Sequence, residues 1–250
     1  MTRAIRLEFR KMRRLRTIPV VAALVIAVAL LSSVWQFSSS TQNTFDDPSE
    51  VPWASFLLTY TLMAAMTSPL LTAVIASRQT DIEHSGAGWT LAATAGYTPG
   101  ALCRAKLAAL ALILLPATAV QTLLVIGAGL VAGMHVPTDI GPWLGYTVWL
   151  YLINTAFCAL HIWLAAQVEN QLVSVGLGML GAFLAVFSLF MPPAVTRLIP
   201  WGYYAVITHI TQDGDGFAYT TPQYAWPLAF LVVATAAFAL GTRRLNSIER

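Results

Sequence analysis

At 250 residues the chain is long enough for a compact soluble domain, yet 57% of it is hydrophobic and only 10% charged, against about 25% charged residues in an ordinary soluble domain. With a mean hydropathy of +0.68 and several apolar runs near the roughly 18–20 residues that cross a hydrocarbon core, the composition excludes a soluble globular fold and predicts a polytopic helical membrane protein. The formal charge of +3 does not point to nucleic acid, because seven of the fourteen Lys and Arg fall between Arg3 and Arg16.

Residues 1–17 place Ile5, Phe9 and Met12 at helical spacing, with Leu15 less regular, and fill most other positions with arginine and Lys11. That pattern predicts an amphipathic helix in the membrane interface, its basic side toward anionic headgroups. Seven bases are many for a signal-peptide n-region and no A-x-A-like site follows, so cleavage is not expected. The first span is expected over 18–37. It is followed by a loop holding Asp46, Asp47 and Glu50 and no base.

The second span, 53–77, carries Pro69, which should kink it, and a hydroxyl-rich stretch from Thr59 to Thr72. The segment Arg78–Lys106 comes next, with five charged side chains in a chain where charge is scarce. A third span over 107–132 leads to a short turn containing Asp139. The fourth, 143–166, and fifth, 172–191, are separated by a polar turn with Glu169. A long aromatic connection, 192–224, precedes the sixth span at 226–241 and a tail with Arg243, Arg244 and Arg250. The whole reads as a single domain. No internal repeat supports the inverted-repeat logic of secondary transporters.

With six spans, thirteen of the fourteen Lys and Arg lie on one side, only Arg197 opposite. The positive-inside rule then puts both termini, and Arg78–Lys106, in the cytoplasm. Cys103 and Cys158 lie on different elements and are expected to be reduced.

Several chemistries find no support. No Asp, Glu, Lys or Arg lies centrally in an apolar run, although ion-coupled transporters usually retain such groups. His161 is the one intramembrane candidate, and a neutral histidine bonded to a neighbouring helix accounts for it. A phosphate-binding loop needs Lys followed by Ser or Thr, whereas Lys11 precedes Met12 and Lys106 precedes Leu107. Neither an H-E-x-x-H nor a G-x-S-x-G motif occurs, and the four histidines are too dispersed for a metal site. Gly176-x-Gly178-x-x-Gly181 matches a dinucleotide fingerprint inside a span, where close helix packing explains it better, as it does Gly129-x-x-x-Gly133. Asp213-Gly-Asp-Gly216 reads as a solvated turn rather than a calcium loop.

Within Arg78–Lys106, Thr80 is an N-cap candidate with Asp81 and Glu83 as early acids of a helix. Residues Ala87–Ala95 then form a short helix able to present Trp89 and Leu91, and Gly96–Gly100 turns the chain into the third span. A short helix parallel to the membrane, with an aromatic and carboxylates nearby, suits insertion into a groove on a partner. The alternative is an ordinary loop touching only headgroups.

Here the sequence resembles ABC-2-type transporter permeases. Glu83, Trp89, Pro99, Arg104 and Lys106 stand where that family has a Glu after the second span, a short coupling helix, a Pro turn and bases entering the third span. Glu8 and Lys11 are similar to its N-terminal connecting helix. Leu198-Ile-Pro-Trp-Gly-Tyr203 resembles the Ile-Pro-Trp segment of the lantibiotic self-protection branch, although Tyr204 stands where that branch often has Pro.

The resemblance implies an all-α integral membrane permease of six transmembrane helices, with an N-terminal interfacial helix, a cytoplasmic coupling helix and a re-entrant external segment before the last span. It implies pairing with a second permease subunit and binding of two ABC ATPase subunits, which carry ATP and Mg; no cofactor is expected on this chain. Coupling to the ATPase is expected through Asp81, Glu83, His84, Trp89, Leu91, Arg104 and Lys106. In the family the second and fifth spans line the path, here Thr59, Tyr60, Met63 and Thr67 with Met179, Phe183, Phe187 and Phe190. Flexible Met and broad Phe surfaces suit an amphipathic peptide or a lipophilic drug, with simple packing or lipid contact as the alternative. Pro200, Trp201 and Tyr203 would form an external gate, or else only an interfacial aromatic girdle. Polysaccharide or haem export, and a non-transporting membrane anchor or sensor, are the competing functions.

Overall fold

A computed structural model of the chain describes residues 2–43, 45, 51–213 and 216–247. Asp46, Asp47, Glu50, the tip of the Asp213–Gly216 turn and Arg250 lie outside them. Helix α1 covers Thr2–Arg14, and α2, Thr17–Ser33, is extended by a 3-10 turn at Val34–Phe37 and a short α3, Ser39–Gln42. The long α4, Pro52–Ser85, is followed by α5, Gly88–Thr94, and α6, Pro99–Ala132. Then come α7, Ile140–Gln167, and α8, Gln171–Ser188. A connection follows, made of α9 (Pro193–Thr196), a 3-10 turn (Pro200–Gly202), α10 (Tyr203–Val206) and strands β1 (Ile210–Asp213) and β2 (Gly216–Tyr219). Helix α11, Ala225–Leu245, closes the fold. Among the described residues six helices are long and apolar enough to cross a membrane: α2, α4, α6, α7, α8 and α11. The protein is a mostly helical bundle of the expected membrane class, with one short hairpin.

Local chemistry sets the helix ends. Thr98 caps α6 by accepting from the Ala101 amide at 3.3 Å, with Pro99 at the first helical position, where its missing N–H costs nothing. Gly133 ends α6 at φ +107°, the left-handed conformation that suits glycine. Asp139 and Asn170 cap α7 and α8 in the same manner, accepting from Gly141 and Leu172 amides.

Two expectations fail at these ends. Helix α4 continues to Ser85 rather than stopping near Ser77, and α6 begins at Pro99, well before Leu107. Thr80 is not an N-cap: its hydroxyl donates to the Ala76 carbonyl at 2.9 Å inside α4, so Asp81 and Glu83 sit in the final turns of that helix. The apolar pattern stops near Ser77, but the helix runs on because Gln79 and Glu83 find buried partners. The β1–β2 hairpin, with Ile210 opposite Tyr219, departs from the all-α expectation.

Helix α4 is the centre of the bundle and packs along α2, α7 and α8. Glycines permit the closest approaches. A Cβ at Gly178 would meet that of Ala73 at 2.5 Å, and one at Gly129 would strike the rings of Trp53 and Phe56 at 2.8–2.9 Å. Both motifs are therefore packing features, with Gly133 serving as the cap instead. One core gathers Trp53, Phe56, Tyr60, Trp143, Tyr146 and Tyr204; the other, toward the end where α1 lies, gathers Met12, Ile75, Leu102, Leu110 and Ile162. Buried His161 bonds through Nδ1 to the Ser174 hydroxyl of α8 at 2.9 Å, as expected of a neutral histidine joining two spans. Cys103, on α6, and Cys158, on α7, are buried.

Candidate functional site

The site lies where α1 crosses the start of α6 and the end of α4. The buried stripe of α1 is Ala4, Glu8 and Met12, one helical turn apart. Arg3, Arg6, Arg10, Arg13 and Arg14 are exposed. Phe9, expected on the apolar face, points outward, and a carboxylate takes the inward place.

A carboxylate goes inside only if it is paired. Glu8 accepts from Lys106 Nζ at 2.9 Å, from Gln79 Nε2 at 2.7 Å and from Lys11 Nζ at 2.9 Å. Lys106 is completely buried and donates also to Glu83 Oε1 at 2.6 Å and to the Gln79 carbonyl at 2.8 Å. All three of its protons are thereby engaged. Lys11, part-exposed, closes the ring by donating to Glu83. Burial pulls the Lys11 pKa down, but its bonds to Glu83 and Glu8 outweigh that and leave it raised. Two acids and two bases thus form a neutral lock tying α1, α4 and α6 together.

Helix α5 and the turn before it rest on this lock. The chain reverses after α4 through Gly86 and Ala87, the latter at φ +49°, and α5 lies over Glu83. Gly88 makes that approach possible, since a Cβ there would overlap the Glu83 carboxylate. Trp89 faces inward, packed with Met12 and Leu102 and donating to His84 Nδ1 at 3.4 Å. His84 Nε2 lies 2.8 Å from the Ala165 carbonyl at the end of α7. Leu91 is the outward residue, 65% exposed. A groove of about 220 Å³ between α1 and α5 runs beside it, lined by Ala4, Leu7, Lys11, Gly88 and Tyr97 among others. Arg104 donates to Thr242 of α11 at 3.1 Å, and the Gly100 amide donates to Asn246 at 2.8 Å.

The structure therefore brings Glu83 and Lys106 into direct contact, but corrects how they and Trp89 are displayed. All three are buried and hold the segment from below. Asp81, His84 and Leu91 are at least partly exposed, so the surface a partner could touch is narrower than expected. Gln79 carried no sequence signal; its side-chain amide donates to Glu8 while its backbone carbonyl accepts from Lys106.

Elsewhere, the hydroxyls of Thr59 and Thr67 turn back to carbonyls of their own helix, Ser55 at 3.2 Å and Met63 at 2.8 Å, while Met63 is half-buried. Tyr60 is fully buried and pairs with Thr122 and Gln121 at 3.1 Å, so it lines no open surface within this chain. Helix α8 meets its neighbours through Ser174, Gly178, Gly181, Ala182 and Ala185. Met179, Phe183, Phe187 and Phe190 form an exposed stripe away from those contacts. The two sets do not enclose a path in a single chain.

The connection between α8 and α11 enters the bundle. Trp201 stacks on Phe157 at 5.5 Å, Tyr203 on Phe230 at 4.3 Å, and Tyr204 donates to buried Asn154 at 2.8 Å. Pro200 is exposed. Tyr204, which had no expected role, is anchored most deeply.

Compared with known proteins, residues 4–185 match the model of a family described as ABC-2 family transporter protein. The match takes in the lock, α5 and most of α8. No curated protein matches the chain.

Proposed function

The chain belongs to the ABC-2 transporter family, and from that premise we propose that it is the permease subunit of an ATP-driven exporter for an amphipathic, lantibiotic-like peptide or a lipophilic drug. The family makes the chain a membrane component that works with an ABC ATPase. In our reading two such ATPases, carrying ATP and Mg, dock at the basic end of the bundle. That end is cytoplasmic, in the plasma membrane, and holds both termini. A second permease subunit completes a path along Thr59, Met63, Thr67 and the Met179–Phe190 stripe, and the Pro200–Tyr203 segment caps its outer end.

The observation that carries the reading is the lock under α5. A helix pushed from outside moves a bundle only if it is fastened to it, and here α5 sits on charges that join α1, α4 and α6. Glu83, Lys106 and Trp89 act as positioning residues, and Leu91 with Asp81 and His84 forms the contact.

Leu91→Asp tests this without touching the core, because Leu91 is exposed. Recovery of the ATPase with the tagged permease from native membranes, quantified by mass spectrometry, should fall on the order of tenfold, as for an interface anchor. Undiminished recovery with an intact permease would refute the docking surface.

A further inference from the structure

Between α7 and α11 two cavities share Trp163 and Ala237 and run on as one groove. The first, about 330 Å³, is walled by apolar side chains including Phe157, Leu160, Phe230 and Phe238. The second, about 340 Å³, extends to Gln167 and Arg244. From Phe230 to Arg244 the groove follows α11 for roughly 20 Å at 1.5 Å per residue. That exceeds the half-thickness of about 15 Å filled by one leaflet's hydrocarbon. Trp163 lies where the lining changes from apolar to polar, and Gly241 leaves room for its indole: a Cβ there would meet Nε1 at 2.5 Å.

A largely apolar channel longer than one leaflet's hydrocarbon, ending in an exposed guanidinium, matches a lipid with a negative headgroup. A second copy of the chain matches poorly. This end of the bundle carries the exposed arginines of α1 as well as Arg243 and Arg244, so two copies meeting here would bring like charges together, whereas a phosphate neutralises them. We propose that the α7–α11 groove binds an acidic phospholipid, with an acyl chain along Phe157–Phe238 and the phosphate at Arg244 and Gln167. This site is separate from the coupling surface and does not depend on it.

The test is photolabelling of the full chain in phosphatidylcholine vesicles doped with phosphatidylglycerol bearing a diazirine on its acyl chain. Adducts should concentrate on α7 and α11 facing the groove and be competed by unlabelled phosphatidylglycerol but not by extra phosphatidylcholine. Arg244→Gln should lower labelling about fivefold, the loss expected for one base at an anionic surface. Ala234→Trp, which fills the groove, should abolish labelling there while leaving that of α2 unchanged. Labelling spread evenly over the exposed faces of α2 and α8, or indifferent to the competing headgroup, would overturn the proposal. So would Ala234→Cys cross-linking two copies, which would make the groove a protein interface.

Discussion

Lys106→Met should destabilise the folded protein by about 3–5 kcal/mol, the cost of breaking a buried ion pair from one side. Methionine keeps most of the apolar stem but removes three donated hydrogen bonds. Glu8 and Glu83, both almost fully buried, are then left with only Lys11 to balance two negative charges. Lys11→Met should cost less, because its side chain retains 29% exposure and water reaches the site that it vacates. Loss of thermal midpoint in detergent, read by size exclusion, ranks the two variants.

The companion variant separates charge from packing. With Glu8→Gln and Glu83→Gln added to Lys106→Met, no buried charge remains, only that of Lys11, whose 29% exposed side chain water reaches, and most of the stability should return. Lys106→Met melting with the wild type would show that the lock is ornamental. Failure of the triple variant to recover would show that the hydrogen-bond geometry, rather than charge balance, holds α1 in place.

The lock also marks where sequence reasoning runs out. Spans were legible because lipid imposes one rule on a whole run of residues, and α2, α7 and α11 lie near where hydropathy put them. In Arg78–Lys106 the short helix α5 was legible, but not the geometry around it. Apolar spacing grouped Ile5, Phe9 and Met12 on one face of α1, whereas the stripe packed on the bundle is Ala4, Glu8 and Met12, with Glu8 paired to buried Lys106. Thr80, Asp81 and Glu83 read as the start of a helix because acids favour N-termini. They close α4 instead, where Thr80 bonds within its own helix and Glu83 finds its partners on α1 and α6. Trp89 read as displayed because a polar loop surrounds it, yet the cavity that receives it is built by Met12 and Leu102. The hairpin was missed because four-residue strands give little periodicity.

Gly181→Val is expected to unseat the external segment, whereas Gly176→Val, on the same helix and chemically the same change, is expected to do almost nothing. A Cβ at Gly181 would overlap the indole of Trp201, but one at Gly176 meets nothing within 4 Å. Trp201 cannot absorb the intrusion by tightening a hydrogen bond, as its buried Nε1 has no partner among the described residues. It is held by stacking on Phe157, and that stack must open. Overpacking of this kind costs about 1–3 kcal/mol, so Gly181→Val should lower the thermal midpoint and expose a tryptophan to acrylamide quenching. Gly176→Val should match the wild type in both. Adding Trp201→Ala to Gly181→Val should give less than the sum of the two single losses, because the valine then occupies space that the indole has left. If the two valine variants behave alike, the seat of Trp201 is not what holds the segment in the bundle. If they differ as expected, the same pair shows whether the segment gates: transport, but not ATPase recovery, should then fail with Gly181→Val alone.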